Sequence, residues 1–395
     1  MSSVSHFFYW ASLVIIVYTY AGYGFIMALI AASRRKLVKP DNESGYHLPL
    51  TVVIPAFNEA PVIGAKIRNT LQLNYPRQLF QVLVITDGST DGTDQIAAAF
   101  PQVTVMHDPI RKGKAAAINR AMTAVDSELV VLTDANTLID PESLRLLSAH
   151  YRDEKVGGVS GEKKVVSSDA SDLSSEGEGL YWKYESLLKK LDARAGTIVG
   201  AAGELFSFRA KLFEPLEEDT ILDDFVLSLR ICLKGYRVAY EPAASALETG
   251  SISIPEEEKR KIRICAGGFQ AIKRMPGLFE FSKHPMLTFQ YISHRVFRWT
   301  FAPVSLILIL FTNVILVIND AGSWYRFTLV LQVIAYSAAL AGWIGARNNR
   351  KLPLVYIPYY FLFMNWSVFT GFYRFLRKKQ SGAWEKANRL TIPVN

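Results

Sequence analysis

The chain has 395 residues, half of them hydrophobic and a fifth charged, with a formal net charge of +8. That length allows one large domain or two, and so apolar a composition points to a membrane component. Two cysteines, Cys232 and Cys265, exclude a disulfide framework and agree with a reducing compartment; metal-type Cys/His spacings, internal repeats and low-complexity tracts are absent from the sequence.

The first element is an uncharged run over 7–30, "FFYWASLVIIVYTYAGYGFIMALI". A membrane-spanning helix needs about 20 such residues. Arg34-Arg35-Lys36 follow the run and no Lys or Arg precedes it. The positive-inside rule then predicts an N-terminus outside and a cytoplasmic chain from residue 36. A cleaved signal peptide is the alternative, but it would carry its charge before a shorter core.

From residue 48 the pattern changes. "LTVVIP" (50–55), "FQVLVIT" (80–86), "QVTVMH" (102–107) and "ELVVLTD" (128–134) are short β-branched runs, and helical patterns over 60–73, 92–99 and 113–125 separate them. The alternation predicts βαβ units and an α/β fold with a mainly parallel sheet. Continuous apolar strands fit a sheet covered on both faces. In such sheets ligands bind beyond the carboxyl ends of the strands. The polar clusters lie there: Pro55-Ala56-Phe57-Asn58-Glu59 after the first strand, "TDGSTDGT" (86–93) after the second, Asp134-Ala135-Asn136 after the fourth. Each alone also reads as turn chemistry or a helix cap; their recurrence at one sheet edge is what favours a site. Asp134 at a rigid strand end could hold a divalent cation together with ligand phosphates, with Asn136 adding a carbonyl oxygen directly or through water.

Further along, "IPEEEKRKIRICAGGFQAIKR" (254–274) predicts a helix that opens in acids and closes in bases, as the macrodipole favours. Phe281–Arg298 mixes aromatic and basic residues and suits a helix on a headgroup surface. Residues 299–318 and 325–346 read as a transmembrane hairpin broken at Asn319-Asp320-Ala321-Gly322. A third apolar segment, 353–373, has basic residues on both sides and carries Pro353, Pro358 and Asn365. It reads as re-entrant or interfacial, returning the tail to the cytoplasm. The chain thus divides into an anchor over 1–36, a cytosolic domain over 37–280, and interface helix, hairpin, third segment and tail over 281–395.

On these motifs the chain resembles the membrane-embedded family-2 glycosyltransferases of GT-A fold, which include cellulose, hyaluronan and poly-N-acetylglucosamine synthases and ceramide glucosyltransferase. The resemblance covers residues 48–300. It implies a Rossmann-like, mainly parallel sheet flanked by helices, with transmembrane helices at both ends. It assigns nucleotide binding to Pro55, Ala56, Asn58, Glu59 and to Asp87 of "DGSTDGT". The family's "GKxxAxN" reads Gly113-Lys114-Ala115-Ala116-Ala117-Ile118-Asn119 here, and its D-x-D metal motif reads Asp134-Ala135-Asn136, with Asn in the last place. The acidic pair resembles Asp223-Asp224, and the second acid becomes the general base. Adjacent helical residues point about 100° apart, so Asp223 would cap or orient; both also suit a helix N-terminus without any catalytic part. The family's Q-x-x-R-W resembles Arg260–Ile264, where only Arg263 is kept. Ile264 stands where the family's acceptor-cradling Trp lies, which weakens a processive role. Trp384, Glu385, Lys386 and Arg389 resemble a C-terminal "W…R" element; a disordered tail is the alternative.

The activity so implied is inverting transfer of a sugar from a nucleotide sugar, expected to be a UDP-sugar, to a glycan or lipid-linked acceptor at the bilayer, with Mg²⁺ or Mn²⁺ and with Lys114, Arg260 and Arg263 near the diphosphate. The expected setting is a bacterial plasma membrane with the catalytic domain in the cytoplasm, and no nucleic-acid partner. The competing readings are a processive polysaccharide synthase that secretes its product and a non-catalytic scaffold of the same fold. A dinucleotide oxidoreductase is disfavoured because no G-x-G-x-x-G follows the first strand.

Overall fold

The computed structural model describes residues 2–34, 46–166, 173–249, 254–348 and 353–377. The "W…R" residues of the tail lie outside this set. Contacts divide the chain into two compact units, one built mainly from Ala31–Ser168 and Tyr181–Ile252, the other mainly from Met1–Ile30 and Ser253–Lys379. The helix Ile254–Arg274 therefore groups with the N-terminal and C-terminal apolar helices.

In the first unit the strands are β1 (Leu50–Ala56), β2 (Phe80–Asp87), β3 (Val103–Asp108), β4 (Leu129–Leu132), β5 (Leu138–Ile139), β6 (Val156–Val166), β7 (Phe206–Arg209) and β8 (Arg237–Thr249). They form one sheet in the order β3-β2-β1-β4-β7-β6-β8-β5. The predicted half is parallel throughout: β1 pairs with β2 and β4, and β2 with β3. β7 then runs antiparallel to both β4 and β6, while β6 and β8 pair in parallel. Every residue of β1 and β4 is buried, as expected for strands covered on both faces. Helices Ala60–Leu71, Thr93–Ala98 and Lys114–Met122 supply the crossovers. Strand order reverses at β1, whose neighbours β2 and β4 are reached in opposite directions; this switch point leaves a crevice at the carboxyl ends.

In the second unit three helices among the described residues are long and apolar enough to cross a membrane: Ser3–Ser33, Phe301–Ile318 and Ser323–Arg347. They expose Phe7, Phe25, Phe311, Phe327 and Val333, an outer surface suited to lipid and not to water. Polar contacts tie the helices together. Tyr9 donates to Thr328 Oγ1 (2.9 Å), and Trp10 stacks on Trp324 at 6.2 Å.

Two expectations change here. The third apolar segment is one continuous helix, Pro353–Leu376, about 36 Å long at 1.5 Å per residue; it does not double back, so the re-entrant form of the expectation is replaced. Pro358 is tolerated near its start, and the Asn365 amide is satisfied within the unit by Tyr20 Oη (2.7 Å) and the Phe361 carbonyl (2.9 Å). The aromatic–basic segment is helical only from Pro285, passes through a π-turn at Ile292–Val296 and breaks at Thr300. Its Leu287, Tyr291, His294 and Trp299 are buried, so this face packs against protein, with Ser293 Oγ 2.7 Å from Tyr18 Oη.

Candidate active site

The loops after β1 and β2 are built on each other. Pro55 and Ala56 end β1 inside the core. Asn58 then adopts φ +53°, a left-handed conformation that Asn tolerates better than most residues. Its Oδ1 accepts from the Thr90 N–H (2.9 Å), and its own N–H donates to Ser89 Oγ (3.1 Å). The Glu59 N–H donates to Thr93 Oγ1 (2.8 Å) and the Ala60 N–H to Asp91 Oδ2 (3.0 Å). The two motifs thus zip into one rigid wall.

Asp87, at the end of β2, is buried. Its carboxylate accepts from the Gly113 N–H (2.7 Å) and the Lys112 N–H (3.1 Å), and so fixes the turn that starts helix Lys114–Met122. Gly88 beside it has φ +68°, and a Cβ there would meet Arg111 Cβ at 2.6 Å. Arg111 in turn lies 3.8 Å over the Phe57 ring. Gly88→Ala is therefore expected to destabilise the protein by about 2–4 kcal/mol, read as a lowered melting temperature.

Lys114 is the centre. Its Nζ lies 2.8 Å from Asp134 Oδ1 and 3.3 Å from Asp223 Oδ2. A Cβ on Gly203 would stand 3.1 Å from Asp224 Oδ2 and 3.6 Å from Lys114 Nζ, so the second acid is beside the same ammonium. Burial alone would lower the pKa of Lys114, but the charges of Asp134, Asp223 and Asp224 together outweigh it and hold the ammonium above its ordinary value. Asp224 moves the other way. Burial first, then the like charge of Asp223, push its carboxyl up to about 7 against the opposing pull of Lys114, and Glu204 adds to the rise. Both acids open helix Asp223–Leu233. Their contacts divide as adjacent helical positions should: Asp223 touches Lys114, while Asp224 faces Gly203.

β4 ends at Leu132, two residues before Asp134. Asn136 donates from Nδ2 to Glu248 Oε1 (3.3 Å), so its carbonyl oxygen is the atom that could ligate a cation. Glu248 pairs with buried Lys163, which also reaches Glu204 Oε1 (3.0 Å). Among the described residues no three His, Cys, Asp or Glu side chains cluster as a metal cage. One carboxylate and one amide oxygen fit a Mg²⁺ or Mn²⁺ that arrives with phosphate ligands of its own, the usual arrangement for Mg²⁺. They do not fit a resident ion held by protein alone.

Lys114, Asp134, Asp223 and Asp224 are thus brought together, with Asp87 and the Asn58–Glu59 turn shaping the neighbouring loops. Arg260 and Arg263 belong to the helical unit. There Arg260 makes a two-pronged contact with Glu257, both bonds 2.9 Å, and Tyr360 donates to the same carboxylate. Lys261 is buried beside it, and Lys259 is exposed. Sequence reasoning missed Gly203, Glu204, Lys163, Glu248 and Lys66. For Lys66 a signal existed, since it shares a helix face with buried Ile63, Ile67 and Thr70.

Comparison with known proteins bears on the domain and the fold. Residues 51–216 match the model of the family described as Glycosyl transferase family 2. The chain is 24% identical over 249 residues to poly-beta-1,6-N-acetyl-D-glucosamine synthase of Staphylococcus aureus, covering 60% of this chain and 58% of that protein. It is 24% identical over 235 residues to the synthase of the same name from Staphylococcus epidermidis, covering 57% and 56%. The match thus spans less than two thirds of the length of these curated relatives. Among solved structures, the mannosyltransferase PcManGT of Pyrobaculum calidifontis, in complex with GDP-Man and Mn2+, superposes with a TM-score of 0.70 at 22% identity, over 96% of this chain and 99% of that one. That likeness shows a common fold of GT-A type.

Proposed function

We propose, from the match of residues 51–216 to the Glycosyl transferase family 2 model, that the chain transfers a sugar from a nucleotide sugar, a UDP-sugar in the first instance, to a glycan or lipid-linked acceptor at a membrane, with inversion at the anomeric carbon. The acceptor hydroxyl oxygen attacks that carbon, the bond to the diphosphate oxygen breaks, and Asp224 takes the hydroxyl proton. A carboxylate in this role contributes about 10²–10⁴-fold. Asp223 and Lys114 hold the base in place, and the Lys114 ammonium offers positive charge to the departing diphosphate. Asp134 and Asn136 would hold Mg²⁺ or Mn²⁺ together with the donor phosphates, and the bound ion would supply the remaining neutralisation. Pro55, Ala56, Asn58, Glu59 and Asp87 form or brace the nucleotide side; Arg260 and Arg263 are assigned to the diphosphate on the resemblance alone. In this reading the domain is cytoplasmic at a bacterial plasma membrane.

The observation that supports the reading best is the gathering of Asp134, Asp223 and Asp224 about Lys114 beyond the carboxyl ends of the central strands. Purified protein offered a panel of UDP- and GDP-sugars with Mg²⁺ or Mn²⁺ tests it, scored by nucleotide release and product mass. Silence across the panel would count against it. The rate is expected to rise with pH and level off above about 7, because the base must be ionised and its carboxyl is raised to about 7. Removing one of the charges that raise it, in Glu204→Gln, is expected to move that limb to lower pH; an unmoved limb would assign it to another group. A processive polysaccharide synthase is the second reading, favoured by the similarity to the two polymer synthases and opposed by Ile264. Product length on gels separates them.

A further inference from the structure

Lys66 is almost completely buried. It sits mid-helix in Ala60–Leu71, on the face that carries Ile63, Ile67 and Thr70 into the core. A methionine would pack there without the penalty of burying an amine, which is large for the charged form. The side chain therefore adds nothing to the core that an apolar residue would lack, and its value lies in what its nitrogen holds.

Nζ donates to Thr133 Oγ1 at 2.8 Å and to Thr137 Oγ1 at 3.2 Å. Each hydroxyl, having accepted from the lysine, passes its own hydrogen to a backbone carbonyl. Thr133 donates to the Glu204 carbonyl (2.9 Å) and Thr137 to the Asp134 carbonyl (2.9 Å). One nitrogen thus ties two segments far apart in sequence. The first carries Asp134 and Asn136. The second carries Gly203, against which Asp224 rests, and Glu204, whose charge acts on Asp224. Burial pulls Lys66 down to about 7, opposed by Asp134. An amine keeps two N–H donors when neutral and three when charged, so both bonds exist in either state.

We propose that Lys66 is a positioning residue for the transfer site, a buried hub that sets the Asp134 side of the site against the Asp224 side. The inference rests on the proposed function and adds to it a residue outside the family motifs. It acts through Thr133 and Thr137, much as outer-shell partners orient metal ligands, where mutation typically costs 10–100-fold in affinity or activity.

The test uses the full chain in detergent or nanodiscs and compares wild type with Lys66→Met and Thr137→Val. Mn²⁺ uptake in the presence of UDP is followed by electron paramagnetic resonance, which needs no turnover, and kcat and KM are measured beside melting temperature. Lys66→Met is expected to melt no lower than wild type, to bind Mn²⁺ about 10-fold more weakly and to lose about 10–100-fold in kcat with a smaller change in donor KM. Thr137→Val, which cuts only the branch to Asp134, is expected to reproduce the loss of Mn²⁺ affinity. A Lys66→Met protein with wild-type Mn²⁺ affinity and kcat overturns the inference, whatever its melting temperature. If that variant does not fold, wild-type values for Thr137→Val overturn it equally. A wild-type chain that neither takes up Mn²⁺ with UDP nor transfers sugar overturns the parent reading and this inference with it; a working wild type matched by its variants overturns this inference alone.

Discussion

Asp224→Asn is expected to reduce transfer by about 10²–10⁴-fold while making the protein more stable above neutral pH. The two effects share one cause. Folding raises the carboxyl from 3.8 to about 7, chiefly by burial and then by the charge of Asp223. The native state thus favours the protonated acid. That contribution is full below pH 3.8 and declines as pH rises towards 7, so above 7 the ionised carboxylate is a standing burden on the fold. Three pH units correspond to about 4 kcal/mol as an upper limit, and partial solvent access reduces this to about 1–2 kcal/mol. Asparagine keeps the shape and cannot ionise. Its variant should melt a few degrees above wild type at pH 8 and together with it near pH 4, roughly 2–4 °C per kcal/mol. A merely structural Asp224 predicts the reverse pairing, with activity kept or stability lost. An active Asp224→Asn protein, or one less stable at pH 8, would remove this residue from the role of base.

Lys114→Met should do the larger damage to the fold. The ammonium is the shared counter-charge of Asp134 and Asp223, at 2.8 and 3.3 Å, and Asp224 also acts on it. Removing one partner of a buried ion pair leaves the other charge uncompensated and costs about 3–5 kcal/mol. A fall in melting temperature on the order of 10 °C at pH 8 is expected. The loss should shrink towards pH 5, where Asp224, its carboxyl raised to about 7 by burial and the charge of Asp223, is protonated. Mn²⁺ should restore part of the stability of the variant and raise it by more than it raises wild type, because a divalent cation can replace the missing positive charge. Equal responses to Mn²⁺ in the two proteins, or an unchanged melting temperature, would show that the three acids do not depend on this lysine. Activity should be lost in either case, since the leaving diphosphate has one cation fewer.

The first half of the fold was legible because its strands are buried on both faces. Such strands are continuous β-branched runs, and Gly- and Asp-rich turns mark their ends, so β1 to β3 lie within one residue of the expected bounds. β4 stops with its last apolar residue, Leu132, two short of the expected bound, and the chain leaves the sheet at Thr133 to present Asp134. The second half hid for a physical reason. β6 contains Gly157, Gly158, Gly161, Lys163 and Lys164, and β8 contains Glu241-Pro242 where the register shifts. Lys163 is tolerated inside the sheet only because Glu204 and Glu248 meet it there. That compensation lies 41 and 85 residues away along the chain, by difference of residue numbers, and no periodicity reveals it. Lys66 shows on the helical period, but its partners, which arrive from the turn after β4, do not. Lys114 and Asp224 are legible only through resemblance to a family, whereas Asp134 also stands out by its place at a strand end. Only the folded sheet shows that they meet. The coupling of the Asn58 and Asp91 loops was likewise invisible, although each loop announced itself by composition.

The most direct measurement follows one bond. Wild type and Asp224→Asn are given an α-linked nucleotide sugar with Mn²⁺, and nuclear magnetic resonance follows the anomeric proton of the product while free nucleotide is counted. A β-linked product is expected from wild type, with one nucleotide released for each sugar transferred, and neither from the variant. A product with retained α configuration, or equal turnover by the two proteins, would contradict inversion with Asp224 as the base.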